Sequence, residues 1–212
     1  MNKGHVIQAR HSEIELVVNS YNSPEWIKAQ PVDIAHYWFG EKAPAERHAE
    51  ARILWSEEAL LVRFVCNQSE PLTISSNPQL DQKTIGLWER DVCEIFIAPD
   101  PAEPNHYFEF EAAPTGEWLD LGIHLTAAGR ETDWEFQSGM TAAANVGEGQ
   151  TIIAMCIPWS SKIPKPNEGE KWRTNLFRCV GAGKLRHLAW QPTHTVDPNF
   201  HVPDAFGWLS FE

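Results

Sequence analysis

Short runs of β-prone residues, separated by prolines and glycines, follow one another along this chain of 212 residues. The runs have the length of strands, and none shows the apolar period of a long amphipathic helix. This pattern predicts an all-β fold, an antiparallel β-sandwich of jelly-roll type with few or no long helices, in one domain spanning residues 1–212. The predicted strands are residues 13–19, 49–55, 60–67, 91–98, 106–112, 117–125, 134–139, 140–146, 150–157, 171–180, 186–191 and 206–211. Residues 49–55 and 60–67 are predicted to form a hairpin, residues 134–139 and 140–146 to pair across a turn, and residues 20–48 to be irregular.

The clearest pair of strands, residues 91–98 and 106–112, is joined by a Pro-rich turn. Alternation along the first strand places Glu94 on the same face as apolar residues, and Glu109 and Glu111 follow this pattern on the second strand. Carboxylates among apolar neighbours are costly unless they are paired or bind something. The hairpin is therefore predicted to be more than a structural element, with Glu109 and Glu111 on a solvent-facing sheet edge as the alternative.

The net charge of the chain indicates which classes of binding partner suit it. The chain has 17 Lys and Arg against 29 Asp and Glu, a formal net charge of −12. This excess of negative charge argues against nucleic acid and anionic membrane surfaces as partners, and no apolar run approaches the length of a membrane span. It is compatible with a neutral ligand such as a sugar, or with a bound cation.

The cysteines and the N-terminal residues do not determine the cellular compartment of the protein. Cys66, Cys93, Cys156 and Cys179 form no CxxC motif, and each lies in an apolar run. Buried free thiols are the expected state, with a disulfide as the alternative. No apolar stretch of signal-peptide length opens the chain, so we expect a secreted or periplasmic protein if a leader was removed and a cytoplasmic one otherwise.

Four segments resemble a known family in their order and spacing. They read ARILWSEEALLVRFVC, WERDVCEIFIAPD, HYFEFEAAPTGEWLD, and WRTNLFRCVG followed by LAWQPTHTVDPNFHVPDAFGWLSF. Together they are similar to the family 9 carbohydrate-binding modules and their relatives in the DOMON-like superfamily. The resemblance implies a β-sandwich that recognises carbohydrate without turnover, often at a glycan chain end, in the context of polysaccharide breakdown. Calcium occurs in such modules as a structural ion, so a structural calcium is a further expectation.

The resemblance also implies a site in which two Trp faces hold a sugar ring and polar side chains bond its hydroxyls. Trp88 and Trp190 are the candidate Trp pair. An aromatic ring suits the C–H face of a pyranose, and charged groups make strong hydrogen bonds to its hydroxyls. The candidate polar residues are Arg63, Glu89, Glu94, Glu109, Glu111, Asn175 and Arg178. We expect Arg63 to share one sheet face with Glu94, Glu109 and Glu111, and alternation points Asn175 and Arg178 to opposite faces of their strand. Glu109 and Glu111 depart from the family pattern, which favours a basic or amide residue there.

Two alternatives remain open at this point. A carboxylate pair such as Glu94 and Glu109 would suit a glycan-acting hydrolase. A haem- or metal-binding DOMON-like domain is the other alternative, for which the tail offers histidines but no standard zinc spacing and no CxxCH. The tail residues considered as ligands are His187, His194, Asp197 and His201.

Overall fold

The computed structural model describes residues 5–212, so residues 1–4 of the predicted domain lie outside the described part. It confirms an all-β sandwich whose strands are mostly antiparallel. The strands are β1 Val6–His11, β2 Val32–Ile34, β3 His36–Tyr37, β4 Ala49–Trp55, β5 Ala59–Asn67, β6 Val92–Ala98, β7 His106–Ala112, β8 Trp118–Thr126, β9 Gly129–Asp133, β10 Thr141–Val146, β11 Gln150–Pro158, β12 Lys171–Cys179, β13 His187–Ala189 and β14 Gly207–Phe211.

Helical structure in residues 5–212 is limited to five 3₁₀ turns of three or four residues, as the frequent Pro and Gly predict. Two of these turns begin with a proline, whose fixed φ suits the first helical position. The turns are Pro24–Ile27, Ala45–Arg47, Leu87–Glu89, Lys184–Arg186 and Pro203–Ala205. A helix with the length and apolarity needed to cross a membrane is not found in this part of the chain.

The strands form two sheets. The first sheet has the order β14-β12-β6-β7-β8-β9, and the second has the order β10-β11-β5-β4 with β2 also on β4. β13 continues the first sheet beside β12 and carries β3 on its other side. The predicted hairpins of residues 49–67 and 91–112 are confirmed as β4–β5 and β6–β7.

β1 links the two sheets. It runs parallel to β14 through Val6–Ala9 and then parallel to β4 through Arg10 and His11. These parallel pairs were not predicted, because parallel pairing joins segments distant in sequence and leaves no local turn signal. One continuous apolar core lies between the sheets, where the Sγ atoms of Cys66 on β5 and Cys93 on β6 are 3.4 Å apart. All four cysteines are free thiols in the structure.

The prediction of a strand at residues 13–19 was wrong. The first strand is β1, and residues 13–19 follow it without strand pairing. Ile14 and Val17 are exposed, while the Ser12 hydroxyl donates to the Ile14 carbonyl and turns the chain. Alternation makes a strand only where a sheet edge is free to receive it, and β1 already occupies the edge of β4.

The predicted pairing of residues 134–139 with residues 140–146 was also wrong. The second segment is β10, which pairs with β11, while residues 134–139 form no strand. The backbone N–H and the hydroxyl of Ser138 both donate to the carboxylate of Asp120, and Gly139 has a φ of +78°. These bonds occupy the Ser138 N–H, which therefore does not pair in a ladder.

Candidate functional site

The outer face of the first sheet, turned away from the second sheet, collects the acidic side chains of the central hairpin. Across the sheet, Phe177 of β12 lies opposite Glu94 of β6, and Glu94 lies opposite Glu111 of β7. One step along, Asn175 lies opposite Phe96, which lies opposite Glu109. The strand register thus places the three glutamates on one face, as the alternation predicts.

Glu94, Glu109 and Glu111 form a compact cluster, called here the glutamate cluster. One carboxylate oxygen from each lies within 4.8 Å of the others. The residues are only 2%, 4% and 0% exposed. Neither oxygen of Glu111 nor the Oε2 of Glu109 accepts a hydrogen bond from another residue type in the described part of the chain. Glu109 and Glu111 instead pair with each other through a side-chain hydrogen bond that requires a proton on one of them. The cluster therefore brings together three buried carboxyl groups that have few of the hydrogen bonds usually made by buried polar groups.

Burial raises the pKa values of all three carboxyl groups of the cluster. Burial raises the pKa of Glu94 well above its ordinary value, and the negative charge of Glu109 raises it further. The pKa of Glu111 is likewise raised well above the ordinary value by burial, with the charges of Glu94 and Glu109 adding to it. Burial also raises the pKa of Glu109. In this environment the carboxylates favour a proton or a bound cation.

The segment after β13 covers this face. The ring of Phe200 stacks on Phe177 with a centroid separation of 4.0 Å, and the His201 ring lies 5.3 Å from that of Phe96. His201 Nδ1 shares a 2.8 Å hydrogen bond with the Tyr107 hydroxyl. Burial lowers the pKa of His201 to about 3, with nearby Arg130 adding to the effect, so the imidazole above the cluster is neutral at pH 7. The covering segment buries the cluster without supplying a positive charge.

A comparison with known proteins decides the family. The profile of the family described as carbohydrate family 9 binding domain-like matches residues 20–212, nearly the whole chain. The chain belongs to this family. The resemblance predicted from the four segments is therefore confirmed.

Solved structures with the same fold include two sugar complexes. A family 9 carbohydrate-binding module from Caldicellulosiruptor kristjanssonii in complex with glucose matches 97% of this chain and 95% of its own, with a TM-score of 0.67 and 14% identity. Its complex with cellotriose matches 98% and 94%, with a TM-score of 0.69 and 14% identity. A candidate carbohydrate-binding protein from Bacteroides uniformis matches 99% and 100%, with a TM-score of 0.69 and 20% identity. At these identities the likeness shows the fold.

A sequence relative has a shorter match. The "Extracellular protein" of Arthroderma benhamiae is 21% identical to this family 9 domain over 140 residues, which is 61% of this chain. The match spans 62% of the length of that relative.

The two tryptophans predicted to clamp a sugar have different surroundings in this family 9 domain. Trp88 lies in the 3₁₀ turn before β6, with its ring centroid 6.4 Å from that of Trp134. Trp190 follows β13, covers Gly207 and lies 6.3 Å from the His5 ring. Both indoles are half-buried, so each keeps some surface exposed to solvent.

Trp190 also lines a surface pocket, called here the Trp190 pocket. Its volume is about 400 Å³, and its polar lining residues include His5, Gln30, Asp33 and His36. The Gln191 side-chain amide, 2.7 Å from the His5 Nδ1, borders the same corner. Of these residues, the sequence analysis singled out only Trp190. Gln30 and Asp33 lie in the region predicted as irregular, where Asp33 is on the short strand β2 and the Gln30 side-chain oxygen accepts from the Gln8 N–H.

Arg63 does not join the glutamate cluster, although the sequence analysis placed it on the same face. It lies on β5 of the second sheet, where its guanidinium donates to the Tyr21 carbonyl and lies 5.1 Å from the Trp26 ring. The expectation was wrong because alternation fixes the face within one strand and carries no information on which sheet receives that strand.

Asn175 and Arg178 point to opposite faces of β12, as predicted. Asn175 is on the cluster face, but its amide is occupied by the backbone of Gln191 and Leu176. Arg178 is on the inner face, and its guanidinium donates to the carbonyls of Arg47, His48 and Asn67. Both side chains therefore tie loops to β12.

Glu89, the remaining polar candidate, lies beside Trp88, and its carbonyl accepts from the Arg186 guanidinium. Arg186 was missed by the sequence analysis, as was Cys179 as a neighbour of the cluster. The Cys179 thiol donates to Glu94 Oε1 over 3.7 Å. The position of Cys179 in an alternating strand indicated which sheet face its side chain takes. The sequence did not show which strand would lie beside it.

The histidine-rich tail does not form a metal site. His194 Nδ1 contacts the Phe39 carbonyl, and Asp197 pairs with Lys184 at the surface. Within the described part of the chain, the glutamate cluster is the one group of three or more His, Cys, Asp or Glu side chains close enough together to hold an ion. The tail histidines therefore have separate roles, and His201 serves as part of the cover.

Proposed function

We propose that this chain is a single non-catalytic domain that binds carbohydrate. The observation that carries the proposal is family membership across residues 20–212. Domains of the same fold have been solved with glucose and with cellotriose bound, which supports a glucan-type sugar as the ligand. The excess of acidic residues is compatible with such a neutral ligand.

The half-buried indoles of Trp88 and Trp190 are the proposed sugar platforms. A pyranose presents a face of C–H groups, and burying that face on an indole is favourable because apolar surface leaves water. The Trp190 pocket supplies what a sugar edge needs, since Gln30, Asp33 and His36 offer donors and acceptors beside the ring. We infer that Trp190 makes the larger contribution.

The burial of the glutamate cluster favours binding over hydrolysis. A glycosidase needs two carboxyl groups flanking the scissile bond, with space for the sugar and a water. Here Glu94 and Glu109 are covered by the Phe200–His201 segment. A glycosidic bond does not reach them in this conformation, so we infer that the cluster has a role other than acid–base catalysis.

Calorimetric titration with glucose, cellobiose, cellotriose and xylotriose tests the proposal. We expect saturable binding of at least one sugar. Trp190→Ala should weaken it roughly thirtyfold, which corresponds to about 2 kcal/mol for about 80 Å² of apolar contact, and Trp88→Ala should weaken it by a smaller factor. Trp159→Ala is the matched control, because this half-buried Trp donates to the Ser56 carbonyl on a different part of the sandwich.

The opposite result is equally clear. Absence of heat with every sugar, including a broad glycan array, would refute carbohydrate binding. Equal affinity of Trp190→Ala and the parent protein would refute the Trp190 pocket while leaving binding elsewhere intact. Turnover of aryl glycosides that is lost in Glu94→Gln would overturn the non-catalytic assignment.

A further inference from the structure

Two buried thiols meet inside the apolar core. Cys66, near the end of β5 in the second sheet, and Cys93, near the start of β6 in the first sheet, are each 1% exposed. Their Sγ atoms are 3.4 Å apart. Buried cysteines commonly pack as small apolar side chains. Contact between two sulfurs from opposite sheets is therefore a feature that packing alone does not require.

The sheets hold the two cysteines in this position. Cys66 has ladder partners on both β4 and β11, and Cys93 has ladder partners on both β12 and β7. An S–S bond is about 2.05 Å long, so a bond would need each sulfur to move by only about 0.7 Å. Antibody domains show that two packed sheets accommodate a disulfide between them.

The other two cysteines have different surroundings. The Cys179 thiol is on the outer face of the first sheet and donates to Glu94, while Cys156 on β11 packs against the small apolar cluster around Trp26. Within residues 5–212, Cys66 and Cys93 are the one pair of cysteines whose sulfurs are in contact.

The contact also favours the reactive form of one thiol. The hydrogen bond from Cys93 lowers the pKa of Cys66, and the nearby Arg178 guanidinium lowers it further. The thiolate is the form of cysteine that attacks a disulfide. Cys66 therefore has the properties of the attacking sulfur and Cys93 those of its partner.

We propose that Cys66 and Cys93 form a disulfide between the two sheets when the chain folds under oxidising conditions. A small disulfide such as oxidised glutathione is the oxidant. The Cys93 thiolate attacks its S–S bond and releases one glutathione, and the Cys66 thiolate then attacks the mixed disulfide and releases the second. The two glutathiones take up the two electrons and the two cysteine protons. Both thiols are buried, so this exchange takes place before the sheets close.

The bond would act on stability and not on the sugar site. It closes the chain between residues 66 and 93, a separation of 27 residues that includes the long loop and the Trp88 turn. Closing a loop of this length restricts the unfolded chain and thereby stabilises the folded one. The inference is independent of carbohydrate binding, because neither cysteine lines the Trp190 pocket.

Refolding of the full chain from urea, in a glutathione redox buffer or in dithiothreitol, tests the proposal. We expect the oxidised protein to be lighter by two hydrogen atoms, and a non-reducing peptide map to join the Cys66 and Cys93 peptides. Its Tm should exceed that of the reduced protein by about 5–15 °C. Cys66→Ala should abolish both the link and the Tm difference. Cys179→Ala is the matched control, because this cysteine is equally buried but lies on the other face of the first sheet.

Three results would overturn the proposal: free thiols at Cys66 and Cys93 after refolding in the oxidising buffer, a link that involves Cys156 or Cys179 instead, or equal Tm values for the linked and reduced proteins. If Cys66→Ala does not fold, the parent protein decides the matter. Its peptide map identifies the linked residues, and reduction of the oxidised protein should return the Tm to the reduced value. Sugar titrations of both forms are run separately, so a failure of carbohydrate binding is distinguished from a failure of the disulfide to form.

Discussion

Two groups of buried carboxylates on neighbouring strands of the first sheet differ sharply in how they are paired. Asp120 on β8 points to the inner face, where Ser138 donates to it through its N–H and hydroxyl and Lys83 Nζ lies 2.9 Å from Oδ1. Glu117 accepts from Arg90 at 3.1 Å and from Thr115 at 2.8 Å. The glutamate cluster on the outer face is equally buried but has few such partners.

The difference separates carboxylates that are paired with cations from carboxyl groups that face one another. Burial alone is shared by both groups, so it does not identify a function. The cationic partners of Asp120 and Glu117, Lys83 and Arg90, come from the long loop before β6 and thereby stabilise both charges within the protein. The cluster receives no comparable support from its covering segment, whose His201 imidazole is 3.9 Å from Glu109 and neutral at pH 7.

Removal of the best-paired carboxylate should have the largest effect. Asp120→Ala leaves Lys83 largely buried without its anion and removes the acceptor of two Ser138 bonds. We expect the free energy of unfolding in urea to fall by about 3–5 kcal/mol, as for other broken buried ion pairs. Asp133→Ala is the control, since the Asp133–Lys162 pair is largely exposed. A loss below about 1 kcal/mol for Asp120→Ala would remove the distinction between the two groups.

The pairing of Asp120 and Glu117 could not be predicted from the sequence, although much of the fold could. Alternation and turn residues are local signals, and they correctly gave the β4–β5 and β6–β7 hairpins and the common face of the three glutamates. Lys83 and Asp120 are 37 residues apart, and no local period relates them. The same limit applies to β1, whose parallel partners are near the other end of the chain and in the second sheet.

The segment that covers the glutamate cluster could not be predicted from the sequence, for a related reason. Phe177 was correctly expected in a strand, but the stacking of Phe200 on it depends on the path of an irregular segment rich in Pro and His. Such a segment has no periodicity from which its contacts could be read. The sequence therefore indicated which side chains share a face, and only the structure showed that this face is closed.

Metal-free protein should lose stability as the pH rises, because the cluster carboxyls have raised pKa values in the folded state. Their contribution is fully present below the ordinary Glu pKa of about 4.3 and is lost as the pH rises through the raised folded values. In EDTA we expect the free energy of unfolding to fall by about 1–3 kcal/mol between pH 5 and pH 7, since each carboxyl contributes up to about 1.4 kcal/mol per pH unit.

The same measurement on a variant tests how much Glu111 contributes to this pH dependence. Glu111→Gln in EDTA should show a shallower pH dependence than the parent protein, because one raised carboxyl is absent. If the free energy of unfolding of the parent protein depends on pH no more steeply than that of Glu111→Gln, Glu111 does not contribute to the pH dependence.

The smallest effect is expected where a carboxylate is paired but exposed. Lys184 Nζ and Asp197 Oδ1 are 3.3 Å apart, and their side chains are 80% and 78% exposed. Water screens such a pair, so Lys184→Ala should change the free energy of unfolding by no more than about 0.5 kcal/mol. The change should shrink further in high salt, measured by urea unfolding at two ionic strengths. A loss as large as that of Asp120→Ala would mean that an ion pair stabilises this fold equally in exposed and in buried positions. Burial would then no longer set the glutamate cluster apart from exposed carboxylates.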